Sequence, residues 1–247
     1  MMGDKMRISK TPIARTCDEV EVYSAVLELN GKRILELGCG AAVLTRAIAA
    51  AAPDSHIDAM EVDVIQHEKN LQITDLPSVS FHLSGAQAIP ALDDSYDIVL
   101  LFKSLHHVHG DLLDQALHEI RRVLKPDGIA YISEPIYAGD FNALISLFHD
   151  EKVARDNAFA AVQRAVSKGT FLLQDQLFFN TPIVFNDFAD FENKVIKATH
   201  TEHRLDDATY ALVQKRFALN QHSNGAHFTA PMRVDLLVKP QSGVGPR

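Results

Sequence analysis

Cysteine is scarce in this sequence, which has two among 247 residues, Cys17 and Cys39. Two cysteines cannot form a disulfide framework or supply four thiolates to a structural zinc ion. This usage is typical of a reducing compartment, so we expect a cytoplasmic protein. The N-terminal segment lacks the apolar stretch of a signal peptide, and the most apolar helical stretch, 41–52, is too short to span a bilayer. We therefore expect no membrane partner.

Clustered positive charge is also missing. Lys and Arg number 24 and Asp and Glu number 32, which gives a formal net charge of −8 at pH 7. A surface that neutralises nucleic-acid phosphates needs grouped Lys and Arg, so we expect no nucleic-acid partner. The composition, 47% hydrophobic and 23% charged, is that of a globular chain and excludes a disordered one.

The first 135 residues alternate between strand and helix patterns. Short apolar runs predict the strands, and amphipathic or alanine-rich runs predict the helices. The predicted strands are 33–37, 56–60, 78–83, 96–102 and 128–135, and the predicted helices are 18–29, 42–51, 64–72 and 112–124. Such alternation is typical of βαβ units and predicts a doubly wound α/β fold with a parallel sheet.

The C-terminal part follows a different pattern. Residues 139–168 are predicted to be mostly helical, 206–219 to be a helix, and 232–239 to be a last strand, with 195–205 as a candidate strand. Residues 170–190 are rich in Phe, and such a stretch is more often core than an aromatic substrate box, although it can supply pocket walls.

The sharpest motif is the turn after the first predicted strand, ELGCGAA (36–42). Gly38 and Gly40 allow positive φ and a close approach of a ligand to the backbone. The turn is not a P-loop, because Gly-Lys-Ser/Thr is missing, and it does not match G-x-G-x-x-G, because Val43 takes the third glycine position. Glu61 lies 21 residues after Gly40 at the end of the second strand, where an acid can accept both hydroxyls of a ribose.

Four segments in this order resemble class I S-adenosylmethionine-dependent methyltransferases. They are ELGCGAA (36–42), AMEVD (59–63), YDIVLLFKSLHHV (96–108) and RRVLKPDGIAYISEP (121–135). The resemblance implies a Rossmann-like, seven-stranded, mostly parallel sheet with an antiparallel last strand, for which 232–239 is the candidate. It also implies S-adenosylmethionine as cofactor and S-adenosylhomocysteine as product. The methyl acceptor is expected to be a small molecule, and a homodimer remains open.

The resemblance implies roles for individual residues as well. Gly38 and Gly40 would approach the methionine part of the cofactor, and Glu36 would help to hold its amino group through water. Glu61 would bind the ribose hydroxyls, with Val62 against the adenine. The other implied contacts are Ala86 and Gln87 at the adenine edge, Phe102 and Lys103 on the methionine side, and His106 and His107 near the methyl group.

Two positions depart from the family pattern. Ala42 stands where the family often has Gly, so the turn has less room. Gly85 stands where the family commonly has an Asp that bonds the adenine amine, so Gln87 or the backbone would have to replace that contact.

The histidines have competing interpretations. His106 or His107 could be the base for an acceptor that must lose a proton, or the pair could only shape the pocket. Adjacent histidines on a loop seldom converge on one ion, so we predict no metal at His106, His107 and His109. His200 and His203 would face opposite sides of a strand, which also argues against ligation.

We interpret the chain as an enzyme, a methyltransferase, and keep two alternatives. A nicotinamide nucleotide-dependent oxidoreductase shares the glycine turn and the acid after the second strand, but it does not explain YDIVLLFKSLHHV and LKPDG. A methyltransferase-like binding protein, weakly active or inactive, would explain Ala42 and Gly85.

A single domain, 1–247, is predicted, because no linker separates its parts. Its predicted segments are a loose N-terminus (1–9), a cofactor-binding core (18–135), a helical insertion or lid over the C-terminal ends of the strands (137–190), C-terminal strands and a helix (191–239) and a mobile tail (240–247).

Overall fold

A computed structural model describes residues 6–197 and 205–241. Its strands are β1 (Arg33–Leu37), β2 (His56–Glu61), β3 (Val79–Leu83), β4 (Tyr96–Phe102), β5 (Leu124–Pro135), β6 (Leu172–Phe185), β7 (Gln221–His222) and β8 (Gly225–Val238). Its α-helices are α1 (Glu19–Val26), α2 (Val43–Ala51), α3 (Val64–Asn70), α4 (Leu113–Val123), α5 (Gly139–Ile145), α6 (Lys152–Ser167), α7 (Phe188–Phe191) and α8 (Asp207–Ala218).

All strands belong to one sheet with the order β3-β2-β1-β4-β5-β8-β6, and β7 pairs with β8. The first five strands are mutually parallel, and β8 runs antiparallel between β5 and β6. The predicted Rossmann-like sheet with an antiparallel last strand is therefore confirmed. The short β7 is an eighth strand beyond the expected seven.

The central strand β4 shows why the apolar runs become buried strands. Val99 and Leu101 enter one core cluster, whereas Ile98, Leu100 and Phe102 enter the other. Successive side chains of a strand point to opposite faces, and both faces of this sheet are covered, so almost every residue of the run is apolar. Helices α4 and α6 contribute to the first cluster, and α1 and α2 contribute to the second.

The segment 137–190 differs from the predicted helical insertion. Its first part contains α5 and α6, but Leu172–Phe185 is the long strand β6. Helix α6 is not a lid, because Ala158, Ala161 and Val162 are buried in the same core cluster as α4. This helix covers one face of the sheet. The helices predicted within 139–168 are confirmed, whereas 170–190, for which the sequence favours no element, is mostly strand.

A third apolar cluster, which we call the cap, lies beyond the carboxyl end of β5. Strand β5 pairs with β8 only as far as Pro135 opposite Met232, while β6 and β8 stay paired to Phe185 opposite Ala226. The two strands therefore extend past the sheet edge, and the cap packs on this extension. Its buried members are Leu144, Phe185, Phe191, Ile196, Val213, Phe217, Ala226 and Phe228. Of the phenylalanines in 170–190, Phe171, Phe179 and Phe185 are buried in the core clusters and Phe188 packs against the cap, as expected of core residues.

Hydrogen bonds join the described parts of both chain ends to the rest of the protein. Arg7 donates its N–H to Gln176 of β6 and accepts the Gln176 amide in return, both at 2.9 Å. Gln241 donates to Asp127 at 2.6 Å. Residues 1–5 and 242–247 lie outside the described residues, as do 198–204 with His200 and His203.

The candidate strand at 195–205 is absent where it can be judged. Glu192–Ile196 forms a π-helical turn after α7, and the remainder falls largely outside the described residues. Among the helices in the described ranges, none combines the length and hydropathy that crossing a bilayer requires.

Candidate functional site

The turn after β1 is tightly constrained at its first glycine and open at its second. Gly38 has φ +75°, and a Cβ there would stand 2.6 Å from Cβ of Ser104, whose hydroxyl donates to the Leu37 carbonyl at 2.7 Å. Gly40 has φ +52°, and a Cβ there would meet nothing within 4 Å. Space for a ligand therefore lies beside Gly40. Ala42 is buried and also left-handed, with φ +59°.

Glu36 of β1 is a buried carboxyl group beside this turn. It accepts the Thr45 hydroxyl at 2.6 Å, and burial raises the pKa of Glu36 to about 7. The hydroxyl of Tyr23 is also buried, and it has no hydrogen-bond partner among the described residues. Burial, together with the charges of Glu36 and Glu19, raises the pKa of Tyr23 to about 12. An unpartnered hydroxyl near Glu36 leaves a donor for a polar ligand.

Glu61 joins the ends of β1 and β2. One carboxylate oxygen accepts the Gly40 N–H at 2.8 Å, and the other accepts the N–H groups of Val62 and Asp63 at 2.8 and 3.0 Å. The oxygen that accepts from Gly40 has a second lone pair, so the carboxylate can hold the glycine turn and still accept from a ligand hydroxyl. Val62 is 64% exposed, which leaves its side chain available to a flat ring.

The loop after β3 contains Gly85, at the position where the family commonly has an Asp. A Cβ at Gly85 would lie 2.5 Å from Oε1 of Gln87, so the Gln87 carboxamide fills the space that a side chain at 85 would need. Gln115 donates to the Gln87 carbonyl at 2.8 Å and fixes the backbone there. Ala86 is buried in the core, where its side chain contacts apolar neighbours.

The end of β4 separates its two predicted site residues. The Phe102 ring is buried between Tyr23 and Tyr131, with centroid distances of 5.9 and 5.7 Å. Its side chain is core, so Phe102 can offer a ligand no more than its backbone. Lys103 is exposed, has a left-handed φ of +55°, and donates its N–H to the Ser133 carbonyl at 2.7 Å.

His106 is buried and held from two sides. Its Nδ1 lies 2.5 Å from Oε2 of Glu134, and its Nε2 lies 3.5 Å from Oε1 of Glu151. The second Glu134 oxygen accepts the Leu105 N–H at 2.9 Å. Burial alone would lower the pKa of His106, but Glu134 and Glu151 raise it to about 9.

The neighbouring side chains complete a cluster at this end of the sheet. His107 stacks on His106 with 4.1 Å between ring centroids and stays exposed at the surface. Desolvation by surrounding protein, together with the His106 charge, lowers the pKa of His107. The pKa of Glu151 is held below its usual range, because His106 and Arg155 outweigh the effect of burial. Ligand atoms of His106, His107 and Glu151 all lie within 4.8 Å of one another.

The histidine pair could be predicted from the sequence, but most of the neighbouring polar groups could not. Tyr23 and Glu151 lie on other elements and carry no local motif. Glu134 could have been inferred, because it lies in the segment 121–135 near the end of β5, next to the end of β4. His109 is exposed and pairs with Asp111 instead of joining the cluster.

Known proteins share both the sequence pattern and the fold. Residues 34–128 match the family model described as a methyltransferase domain. In sequence, the uncharacterized methyltransferase YcgJ of Bacillus subtilis is 26% identical over 218 residues, which are 83% of each chain. The crystal structure of YcgJ superposes with a TM-score of 0.60 at 19% identity and covers 90% of this chain and 97% of that chain. Together these findings support a class I S-adenosylmethionine-dependent methyltransferase, as the sequence motifs predicted.

Other methyltransferases match over a shorter stretch or with lower identity. Methyltransferase GfsG of Streptomyces halstedii is 28% identical over 158 residues, 59% of this chain and 56% of that protein. A SAM-dependent methyltransferase of Methanosarcina mazei has the same fold, with a TM-score of 0.54 at 13% identity over 90% of this chain and 98% of that chain. The strand order of the sheet is therefore shared with known methyltransferase structures.

Proposed function

We propose that this protein transfers a methyl group from S-adenosylmethionine to a small-molecule acceptor. The observation that carries the proposal is the set of groups at the carboxyl ends of β1 and β2. Glu36, the open side of Gly40 and the Glu61 carboxylate are ordered there by the fold itself. The unpartnered Tyr23 hydroxyl beside them fits a cofactor with a polar amino-acid end.

Different residues contact different parts of the cofactor in this proposal. Glu36 and the Tyr23 hydroxyl face its amino-acid end, and the Gly38–Gly40 backbone leaves room for it to pass. Glu61 accepts the ribose hydroxyls, Val62 covers the adenine, and Gln87 offers its carboxamide where the family has an Asp. When bound, S-adenosylmethionine supplies a methyl group on a positively charged sulfur, which a nucleophile displaces in line.

The histidines have different tasks in this proposal. Both ring nitrogens of His106 already face carboxylates, so this residue holds the architecture of the acceptor end. His107 is exposed beside it and is the member of the pair that can contact an acceptor. The cap lies beyond the carboxyl end of β5 on the same side of the sheet as the acceptor end, and a neighbour of this kind supports a small acceptor over a polymer.

Cofactor calorimetry tests the proposal directly. S-adenosylhomocysteine should bind one site per chain, and Glu61→Ala should weaken binding at least tenfold, because charge-assisted hydrogen bonds contribute about 1.5–3 kcal/mol each. Glu68→Ala, an exposed acid on α3, is the matched control and should bind like the wild type. Equal affinity for the wild type and Glu61→Ala would place the ribose elsewhere.

A label-transfer assay addresses the inactive alternative. Methyl-labelled S-adenosylmethionine, offered with a library of hydroxylated and amino small molecules, should label at least one of them. Cofactor binding without transfer to any member would favour the non-catalytic binding protein.

A further inference from the structure

The cluster of His106, His107 and Glu151 has the composition of a metal site, although the sequence alone predicts none. The two histidines lie in the turn after β4, and Glu151 comes from the loop before α6. We propose that these three residues bind a divalent transition-metal ion, with Zn²⁺ as the preferred ion, at the acceptor end of the site.

The spacing of the ligand atoms is close to what such an ion requires. Two ligand atoms at about 2.0–2.1 Å from a tetrahedral zinc ion stand about 3.4 Å apart. Nε2 of His106 and Oε1 of Glu151 are 3.5 Å apart. The third ligand, His107, is exposed and can turn its ring, and all three ligand atoms already lie within 4.8 Å of one another.

Outer partners orient the buried ligands as they do in metal proteins. A metal-bound histidine usually donates its other ring N–H to a carboxylate or carbonyl, which fixes the tautomer. Glu134 takes this position on Nδ1 of His106, so that Nε2 points toward Glu151. Arg155 donates to Oε2 of Glu151 at 2.6 Å and leaves Oε1 toward the cluster. His149 Nε2, 2.9 Å from this Oε1, is a further partner.

The donor set selects the kind of ion. Two imidazoles and one carboxylate suit Zn²⁺ and its transition-metal neighbours, whereas Mg²⁺ and Ca²⁺ prefer oxygen ligands throughout. Three protein ligands leave a fourth position on zinc open, which is the arrangement of catalytic zinc sites.

The open position indicates the acceptor class, and this step rests on the proposed function. An acceptor with a hydroxyl group would place its oxygen there, and the ion would favour loss of the hydroxyl proton to water. The oxygen–methyl bond then forms as the sulfur–methyl bond breaks, and the electron pair of the broken bond stays on sulfur. The inference therefore favours O-methylation over methylation at nitrogen or carbon.

A Zn²⁺ titration tests the site. The protein is first treated with chelator to remove bound metal, and the chelator is then removed. Calorimetry should give one Zn²⁺ per chain at micromolar affinity or better. Glu151→Gln and His107→Ala should each weaken binding at least tenfold, while His109→Ala, an exposed histidine outside the cluster, should bind like the wild type. Absence of a stoichiometric site, or equal losses in His107→Ala and His109→Ala, would overturn the proposal.

Two further measurements keep the outcome clear. Co²⁺ in place of Zn²⁺ should produce visible absorption bands that Glu151→Gln loses, which reports ligation independently of heat, and unchanged bands in Glu151→Gln would reject Glu151 as a ligand. S-adenosylhomocysteine binding in the presence of chelator is measured separately. Cofactor binding without Zn²⁺ binding would reject the metal site and leave the methyltransferase proposal standing. Zn²⁺ binding without cofactor binding would support the metal site and reject the methyltransferase proposal.

Discussion

Gly38 and Gly40 lie two residues apart in one turn and are glycine for different reasons. Gly38 has no room for a side chain because Ser104 packs against it, so a substitution there would damage the fold before it touched the cofactor. The resemblance implies that both glycines approach the methionine part of the cofactor. A side chain at Gly40 would enter open space, so Gly40 is the position at which a substitution tests cofactor contact.

Gly40→Ala should therefore weaken cofactor binding while the protein stays folded. A left-handed φ costs an L-residue roughly 1–2 kcal/mol, and a methyl group would enter the space that the cofactor needs. Gly31→Ala is the matched control. Gly31 has φ +73° and equally open surroundings, but it precedes β1 and so lies at the other end of this strand. Calorimetry with S-adenosylhomocysteine should show at least a tenfold loss for Gly40→Ala alone. Similar affinity in both variants would remove Gly40 from the site.

Glu36 should make both stability and cofactor binding depend on pH. Its pKa is raised from 4.5 in the unfolded chain to about 7 in the folded protein, so protonation stabilises the folded form. This stabilisation is fully present below pH 4.5 and is lost as the pH rises through about 7. Relative to Glu36→Gln, the wild type should lose on the order of 1–3 kcal/mol of unfolding free energy over this range.

Cofactor affinity should show the opposite trend near Glu36. A cationic amino group favours the carboxylate, so S-adenosylhomocysteine should bind the wild type more tightly as the pH rises through about 7. Denaturant unfolding and calorimetry at pH 5.5 and pH 8 measure the two effects. A wild type whose pH dependence matches that of Glu36→Gln in both experiments would contradict the assignment.

At the scale of elements, α6 belongs to the rigid core, and α5 with the loop to Glu151 is the candidate moving part. Amides of α6 should exchange with solvent as slowly as those of β1 and β4, because the buried side chains of α6 pack on the sheet. Amides of 146–151 should exchange faster and slow down when S-adenosylhomocysteine binds. Hydrogen exchange resolved by segment decides this, and fast exchange throughout α6 would restore the lid interpretation.

The elements that the sequence predicted well are those whose burial leaves a simple pattern. Strands β1 and β4 match their predicted bounds because both of their faces are covered and most of their residues are apolar and buried. Helix α4 was predicted from its single apolar stripe, now buried at Leu113, Leu117 and Ile120. Strand β6 was missed because its partly exposed edge position mixes apolar and polar residues without a clear period.

The candidate site follows the same division. The glycine turn and Glu61 are local signals that end consecutive strands, and they could be predicted with their positions. Glu134 and Glu151 lie 28 and 45 residues after His106 in the sequence and contact it in the folded protein. Tyr23 lies on α1 and is brought near Glu36 of β1. Only the folded chain brings these groups together, so no spacing rule could have shown the cluster.

At the scale of the whole molecule, cofactor choice should be visible in thermal stability. A ligand that binds only the folded state adds about 2.7 kcal/mol at one hundred times its dissociation constant. S-adenosylhomocysteine at that excess should raise the midpoint of unfolding, and NAD at the same concentration should not, because the turn lacks the third glycine of a dinucleotide fingerprint. A shift with NAD alone would favour the oxidoreductase alternative.

The way the cap is built limits how the acceptor preference could be engineered. Its buried residues come from three separate stretches of chain, around α5, from the end of β6 through the π-helical turn, and from α8 to the start of β8. Two of these stretches continue directly into paired strands of the central sheet. The cap therefore cannot be exchanged as a cassette between relatives, since transplanting it would also replace an edge of the sheet. New acceptor preferences would have to be engineered by substitution within the existing scaffold.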